Sequence, residues 1–447
     1  MCKISLRYIA GLLLLLCGLT VQAQQQERLI YSLQDCLRRG LESNLGLQIT
    51  RNDEQVAHNN ATLANAGALP TLDATAGYRP SLTATEHSTV RATGEESSTS
   101  GVFDYGLNAG ATLNWTLFDG FKIQTNYRQL RLLEQRGETN TRIAAENLIA
   151  DITSEYYNYL QQIIRRAHYR YALRLSRERL RIAELNYQTG RFSGLDYHLA
   201  RVDFNSDSAQ YVKQQQTVRT TLVRLNKLMS NPNIDQRIGV PDSSIIVRDD
   251  LMLEALWQQT LDANASLLRA SQNTMIAEAD YKKVVSRNYP YLKLNAQYAY
   301  NFNHYGESSV LKRDNQTING GLTLGINIWD GNRRRERRNA ELAIENSKLQ
   351  REQIEIELHA DLTTFWQAYR NNLQLLTLQL QNLEIAESNL EIAMERYKLG
   401  NLSGFDMRQV QKNLLDAEER VLQVQYDAKL CEISLLQISG GIGYYLE

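Results

Sequence analysis

A mainly α-helical chain carrying a membrane β-barrel portion is the fold class that the sequence predicts, on three observations. The chain repeats itself after a little over 200 residues, and each copy contains a run of more than 50 residues without glycine or proline. Ahead of each run lie two segments of apolar–polar alternation. Together these describe a duplicated helix–strand–strand–helix unit with long helices and four membrane-type strands per chain.

Composition is compatible with this. Of 447 residues 43% are hydrophobic and 22% charged, which suits a folded chain and excludes disorder or a disulfide scaffold. Lys and Arg number 49 against 50 Asp and Glu, a net charge of -1, so no global basic field draws nucleic acid or an anionic membrane surface. A mean hydropathy of -0.43 excludes a polytopic helical membrane protein, each span of which needs about 20 apolar residues in succession. Strands that are apolar on one face only remain open.

The chain begins with Lys3 and Arg7 ahead of an apolar run from Ile9 to Leu19, then Val21-Gln22-Ala23 with small residues at the cleavage positions. This predicts a secretory signal peptide over 1–23, the run being too short for a membrane anchor. Cleavage removes Cys2 and Cys17 and leaves Cys36 and Cys431, free or paired in an oxidising compartment.

The mature chain divides into a first repeat over 24–230, a linker over 231–250 carrying Pro232, Gly239 and Pro241, and a second repeat over 251–447. Leu33, Leu41, Asn44, Leu47 and Pro70 return as Leu253, Leu261, Asn264, Leu267 and Pro290, 220 residues on. Leu117 to Gly120 returns as Ile328 to Gly331, and Tyr187 to Asp196 as Tyr397 to Asp406. In each repeat a helix of some 35 to 40 residues ends at the proline. Strands come after it over about 71–85 and 102–118, and in the second copy over about 291–303 and 316–329. A very long helix comes next. Read as continuous from Gly120 to Gly190, the first spans about 105 Å, far more than a compact domain needs. In the second, Leu362, Phe365, Tyr369, Leu373 and Leu376 step by three or four, the seam of a helix packed on other helices.

The strands are of a particular kind. Leu107, Ala109, Ala111, Leu113 and Trp115 alternate with Asn108, Gly110, Thr112 and Asn114, and Leu292, Leu294, Ala296, Tyr298 and Tyr300 with Lys293, Asn295, Gln297 and Ala299. That is the apolar-out, polar-in pattern of transmembrane β-strands, with Tyr78, Trp115, Phe118, Tyr298 and Trp329 expected in the interfacial aromatic girdles. A soluble sandwich shares the alternation, but polar stretches suited to external loops join each pair (85–100 and 303–316), and no fifth to eighth strand is present to close a sandwich or a barrel. An open sheet edge is not viable in lipid, so four strands per chain demand partner copies. Two chains make eight strands, whose interior side chains fill; three make twelve and leave room for water, which suits a polar face rich in Asn, Thr and Gly.

In this order the features are similar, over essentially the whole mature chain, to the TolC-like outer-membrane factor family. They are the duplication, proline entry to a strand at Pro70 and Pro290, the Phe118-Asp119-Gly120 and Trp329-Asp330-Gly331 turns, and the helical hairpins at 190–196 and 400–406. The resemblance implies a homotrimer in the outer membrane of a Gram-negative bacterium: a 12-stranded barrel in outer-membrane lipid, continued by long antiparallel helices as a periplasmic α-barrel. It implies passive export without catalysis or cofactor, as the exit duct of a tripartite efflux pump or type I secretion system. The implied partners are a periplasmic adaptor (membrane fusion protein) and an inner-membrane transporter.

In that family the hairpin tips dock the adaptor and carry the constriction. The docking candidates here are then Tyr187, Gly190, Arg191, Ser193, Gly194, Tyr397, Gly400, Asn401, Ser403 and Gly404, and the gate candidates Asp196, Asp406 and Gln409. The residue chemistry of the tips agrees. Glycines at 190, 194, 400 and 404 permit the dihedrals of a tight helix reversal, and Ser193 and Ser403 suit helix N-caps. Asp196 and Asp406 fall in a first helical turn, where the dipole favours a carboxylate, so a purely stabilising role is an equal reading. Three Asp406 side chains about a threefold axis would form an anionic ring favouring cations. Where the family carries a second aspartate one turn later this chain has Gln409, so a double ring is not expected.

Arg333, Arg334, Arg335, Arg337 and Arg338 are interrupted by Glu336 and read as a solvated or headgroup-facing helix start rather than a nucleic-acid site. The six histidines show no metal-ligand spacing, and no acid–base or nucleophile constellation emerges. A periplasmic coiled-coil scaffold or adaptor without a pore is the alternative; it would share the long helices and lack the paired strands.

Overall fold

The computed structural model describes residues 29–89, 94, 96–306 and 310–446; the expected signal peptide and part of the 85–100 stretch lie outside them. The first half runs β1 (Leu29–Ile30), α1 (Leu33–Ser43), α2 (Leu45–Asn60), α3 (Leu63–Ala66), β2 (Thr71–Thr89), β3 (Glu96–Asp119), α4 (Lys122–Gln188) and α5 (Gly194–Leu228). After β4 (Ile238–Gly239) the second half repeats the plan with α6 (Leu253–Ala263), α7 (Ala265–Ser286), β5 (Tyr291–His304), β6 (Lys312–Gly325), α8 (Arg333–Lys398) and α9 (Gly404–Ile438), ending in a 3-10 turn at Ile442–Leu446. The chain is thus mainly helical and duplicated, and α4 and α8 are each unbroken.

The expected single helix of 35 to 40 residues is instead broken in both halves at the same place. Asn44 (φ -62, ψ 120) and Asn264 (φ -66, ψ 120) leave the helical region. Each asparagine side chain then caps the next helix, Asn44 Oδ1 accepting from Leu47 N at 3.0 Å and Asn264 Oδ1 from Ser266 N at 2.9 Å. The linker also does more than connect: β4 pairs in parallel with β1, Leu29 opposite Ile238.

Contacts divide the chain into two compact units: Met1–Gln48, Ala145–Asp262 and Ala360–Glu447, and separately Ile49–Ala144 and Ala263–His359. The second, strand-bearing unit holds one antiparallel sheet of order β2-β3-β5-β6. Among the described residues, the outer edges on β2 and β6 have no pairing strand. β6 ends at Gly325, short of the expected 329, because Gly325 faces Tyr291, the first residue of β5, and Pro290 before it has no N–H to offer. The strand-to-helix turn at Gly120 is tight: its φ is +70, and a Cβ there would strike the carbonyl oxygen of Ser286. Asp119 Oδ1 then accepts from Ile123 N at 3.0 Å at the start of α4. Beyond it α4 and α7 are joined by polar side chains, Gln129 to Asp280 at 2.8 Å and Arg136 to Asn273 at 3.2 Å.

The first, hairpin unit has an apolar core of Leu37, Ile152, Leu160, Leu225, Leu362 and Leu435, all fully buried. Gly40 lets α1 lie against α4, since a Cβ there would collide with Ile152. Cys36 and Cys431 are both free thiols. The 3-10 turn covers a buried ion pair, Lys429 Nζ to Glu432 Oε1 at 2.7 Å, to which Tyr445 donates its hydroxyl proton.

Candidate channel gate and lumen wall

Both hairpin tips are built by the same local chemistry. Gly190 (φ +74) and Gly400 (φ +80) take the left-handed conformation that ends α4 and α8. Arg191 N donates to Asn186 O at 2.8 Å and Asn401 N to Arg396 O at 2.9 Å, satisfying carbonyls the helix leaves open. Gly194 and Gly404 have no positive φ; they open α5 and α9, so only one glycine of each expected pair performs the reversal. Ser193 and Ser403 are the N-caps, accepting from Asp196 N at 3.2 Å and Asp406 N at 3.1 Å. Each hydroxyl donates back to its aspartate, at 2.7 Å in both tips. Asp196 and Asp406 therefore stabilise their helix starts while remaining exposed. Gln409 is exposed as well, its amide donating to Asn413 Oδ1 at 2.8 Å.

The duplicated tyrosines have different fates. Tyr187 is 49% exposed and stacks on Tyr197, whereas Tyr397 is 1% exposed. Tyr397 packs in a cluster with Ile182, Leu390, Met407 and Leu414, and Phe192 lies against the same cluster. It is therefore removed from the docking candidates: it is the core by which the second hairpin rests on the first. Burial also raises its hydroxyl pKa.

Behind this cluster lies an ionic link that the sequence does not announce. Arg408 on α9 forks onto Asp207 of α5, at 2.7 and 2.8 Å, and lies 3.7 Å from Asp203. Asp203 accepts from Arg179 of α4 at 2.6 Å, and Asp207 also accepts from the Ser176 hydroxyl. Arg179 is 1% exposed, and its Nε and Nη1 find no acceptor among the described residues. Burial lowers its pKa, offset in part by Asp203. Further along the same helices, burial with Glu387 and Glu419 nearby pushes Glu418 up to about 7, and His168 faces it at 3.8 Å.

The sheet has two unlike faces. Leu72, Leu82, Ile318, Leu322 and Leu324 are each more than 60% exposed on one of them. A soluble sandwich would cover such a face; uncovered apolar surface of this extent requires lipid or a partner. Toward the loop end of this face, Tyr78 and Phe302 flank Tyr105 at 6.2 Å each, and His304 stacks on it at 5.0 Å. Tyr105 and Phe302 were not among the expected aromatics, although they share the apolar alternation and register brings them beside Tyr78. At the helix end, Trp115 Nε1 donates to Ala68 O at 2.9 Å and Phe118 meets Phe121 edge-on at 5.2 Å. Tyr298 sits midway along β5, opposite Ala111 and Ile318. Trp329 is 84% exposed beyond the end of β6. The other face carries rows of Asn, Thr and Gly in register, such as Gly77–Asn108–Asn301–Asn315.

Among the described residues no group of three His, Cys, Asp or Glu could hold a metal ion, and no helix is long and apolar enough to cross a membrane.

An amphipathic membrane sheet carried on a duplicated frame of long helical hairpins defines the class: a TolC-like outer-membrane channel protein. The family model for the outer membrane efflux protein matches residues 37–231 and 256–441, and the chain belongs to that family. Among solved structures it is similar to the Campylobacter jejuni CmeC outer membrane channel (TM-score 0.75, 18% identity, covering 92% of this chain and 85% of that one). It is also similar to the outer membrane protein VceC from Vibrio cholerae (0.72, 16%, 92% and 96%). The third is the open state of the Neisseria gonorrhoeae MtrE outer membrane channel (0.66, 18%, 92% and 89%). No individual curated protein sequence matches. The chain is an efflux-type channel protein of the outer membrane that extends into the periplasm.

Proposed function

We propose that three copies of the chain close a 12-stranded barrel and form the exit duct of a tripartite efflux pump or type I secretion system, passively conducting solutes delivered by an inner-membrane transporter. The observation that carries this reading is the four-stranded sheet with two unpaired edges and an uncovered apolar face. In lipid those edges must find β-partners, and β6 of one copy and β2 of the next supply them. The other face, lined by asparagine and threonine, then becomes the wall of a wet lumen. The hairpin tips form the periplasmic gate: three Asp406 carboxylates, already held by Ser403, constrict the passage and favour cations. A periplasmic adaptor docks on the exposed tip residues Tyr187, Arg191 and Asn401 and draws the hairpins apart.

The test is extraction and conductance. The protein should require detergent for release from outer membranes, migrate as a heat-sensitive trimer, and conduct in planar bilayers with a preference for cations that Asp406→Ala reduces. A protein released without detergent that forms no pores would overturn the duct reading.

A further inference from the structure

The polar face of the sheet carries few charges: Asp73, Asp104 and Lys293 lie in separate rows, whereas two arginines share one. Cross-strand register puts Arg79, Gly106, Asn303 and Arg313 in a single row across all four strands, at the loop end of the β5–β6 pair and midway along the longer β2–β3 pair. Both arginines are exposed, and neither has a salt-bridge partner among the described residues. The interior of the row is kept small: a Cβ on Gly106 would come within 2.8 Å of Asn303 Oδ1. Arg79, Ser81, Asn108, Asn301 and Asn303 line a hollow in this face over β2, β3 and β5, and Arg313 lies one strand beyond it, opposite Asn303. The one carboxylate at its rim, Asp104, accepts the backbone N–H of Gly306 at 2.9 Å, which ties it to the β5–β6 connection.

We infer that Arg79 and Arg313 form a basic band on the lumen wall that attracts and transiently holds solutes bearing carboxylate or phosphate groups. The inference rests on the trimeric barrel proposed above. With strands about 4.8 Å apart and tilted about 40°, twelve of them enclose a wall about 12 Å in radius. The three strand steps from β2 to β6 separate Arg79 and Arg313 by about 9 Å along the axis, so three copies give two tiers of three guanidinium groups. Side chains projecting inward from such a wall bring the axis within a Debye length, about 8 Å at physiological salt. Every solute on its way out therefore crosses their field. Guanidinium suits this because it forks onto oxyanions and never loses its proton. Lipid phosphates do not reach the band, because Arg79 and Arg313 lie on the face opposite Leu72, Leu82 and Ile318.

The inner Asp406 ring and this band make different demands, so current selectivity alone does not isolate the band; blockade from the loop side does. Wild-type channels in planar bilayers receive citrate or pyrophosphate on the side that the strand loops face. These probes should reduce the current, and Arg79→Gln with Arg313→Gln should raise the half-blocking concentration about tenfold. Lys312→Gln removes one positive charge a single residue from Arg313 but on the opposite face, and should leave blockade unchanged, whereas Arg313→Gln alone should weaken it. Equal blockade of wild type and the double variant, or equal loss in Lys312→Gln, overturns the band while the channel reading stands. Absence of channels from wild-type protein overturns both.

Discussion

Removing Arg408 probes how the two hairpins of one chain are held together. Its guanidinium makes the 2.7 and 2.8 Å bonds to Asp207, whose side chain is 7% exposed, and Arg408 itself is 28% exposed. In Arg408→Ala, Asp207 keeps only the Ser176 hydroxyl, and a carboxylate is left beneath the surface with its countercharge gone. Breaking a buried pair costs about 3–5 kcal/mol and an exposed pair less than about 1, so a half-covered arginine on a buried partner should cost about 2–3 kcal/mol of local stability. At about 1.4 kcal/mol per decade, opened tips become about 30 to 150 times more populated. Hydrogen exchange followed by mass spectrometry on the detergent-solubilised protein reads this directly. Peptides from α5 and α9 near the tips should exchange faster by that factor, while β3 peptides keep their protection. Adding Asp207→Asn should recover part of the loss, because it removes the stranded charge. Unchanged tip protection in Arg408→Ala, or a further loss on adding Asp207→Asn, would refute the reasoning.

Three other outcomes are expected. Gly120→Ala forces a Cβ onto the Ser286 carbonyl at a φ of +70 and should lower the yield of folded protein sharply, with thermal melting of any remainder reduced by several degrees. Glu418, raised to about 7 by burial, favours its neutral form in the fold, so its contribution to stability is full below about pH 4.5 and is lost as pH rises through 7. Glu418→Gln should therefore raise the melting temperature at pH 8 and change it little at pH 5; the same change at both pH values would contradict this. Cys36 is fully buried and its thiol is pushed up to about 12, so native protein should take up maleimide only at Cys431, and denatured protein at both.

What the sequence made legible was what local pattern encodes. Period-two alternation located the strands because each has one wet and one apolar face, and the long glycine- and proline-free runs located α4 and α8. Matched serine-to-aspartate spacings located the tips. What escaped it depended on partners distant in the chain. Arg408 and Asp207 lie 201 residues apart, and each on its own reads as an ordinary solvated helix charge. Tyr187 and Tyr397 occupy equivalent places in near-identical motifs, and only the packing of one hairpin on the other buries the second. The helix breaks are intermediate: Asn44 and Asn264 were visible as a recurring pair, but an asparagine inside a helical pattern does not declare that it will cap. Arg79 and Arg313 share a row only through the accumulated register of three strand pairs.

A sheet whose first and last strands both lack partners cannot be finished by the chain that makes it. If three copies complete it, as proposed above, its stability obeys mass action: the folding equilibrium carries the third power of protomer concentration, and dilution alone should lower the apparent melting point. A newly exported chain accordingly passes through a stage in which both strand edges and the apolar face are open to any neighbour, and the rate at which copies meet governs how long that stage lasts. Expression level thus becomes a folding variable for this protein. Substitutions along β2 and β6 should show their effects most strongly when the chain is scarce, and overproduction should mask them.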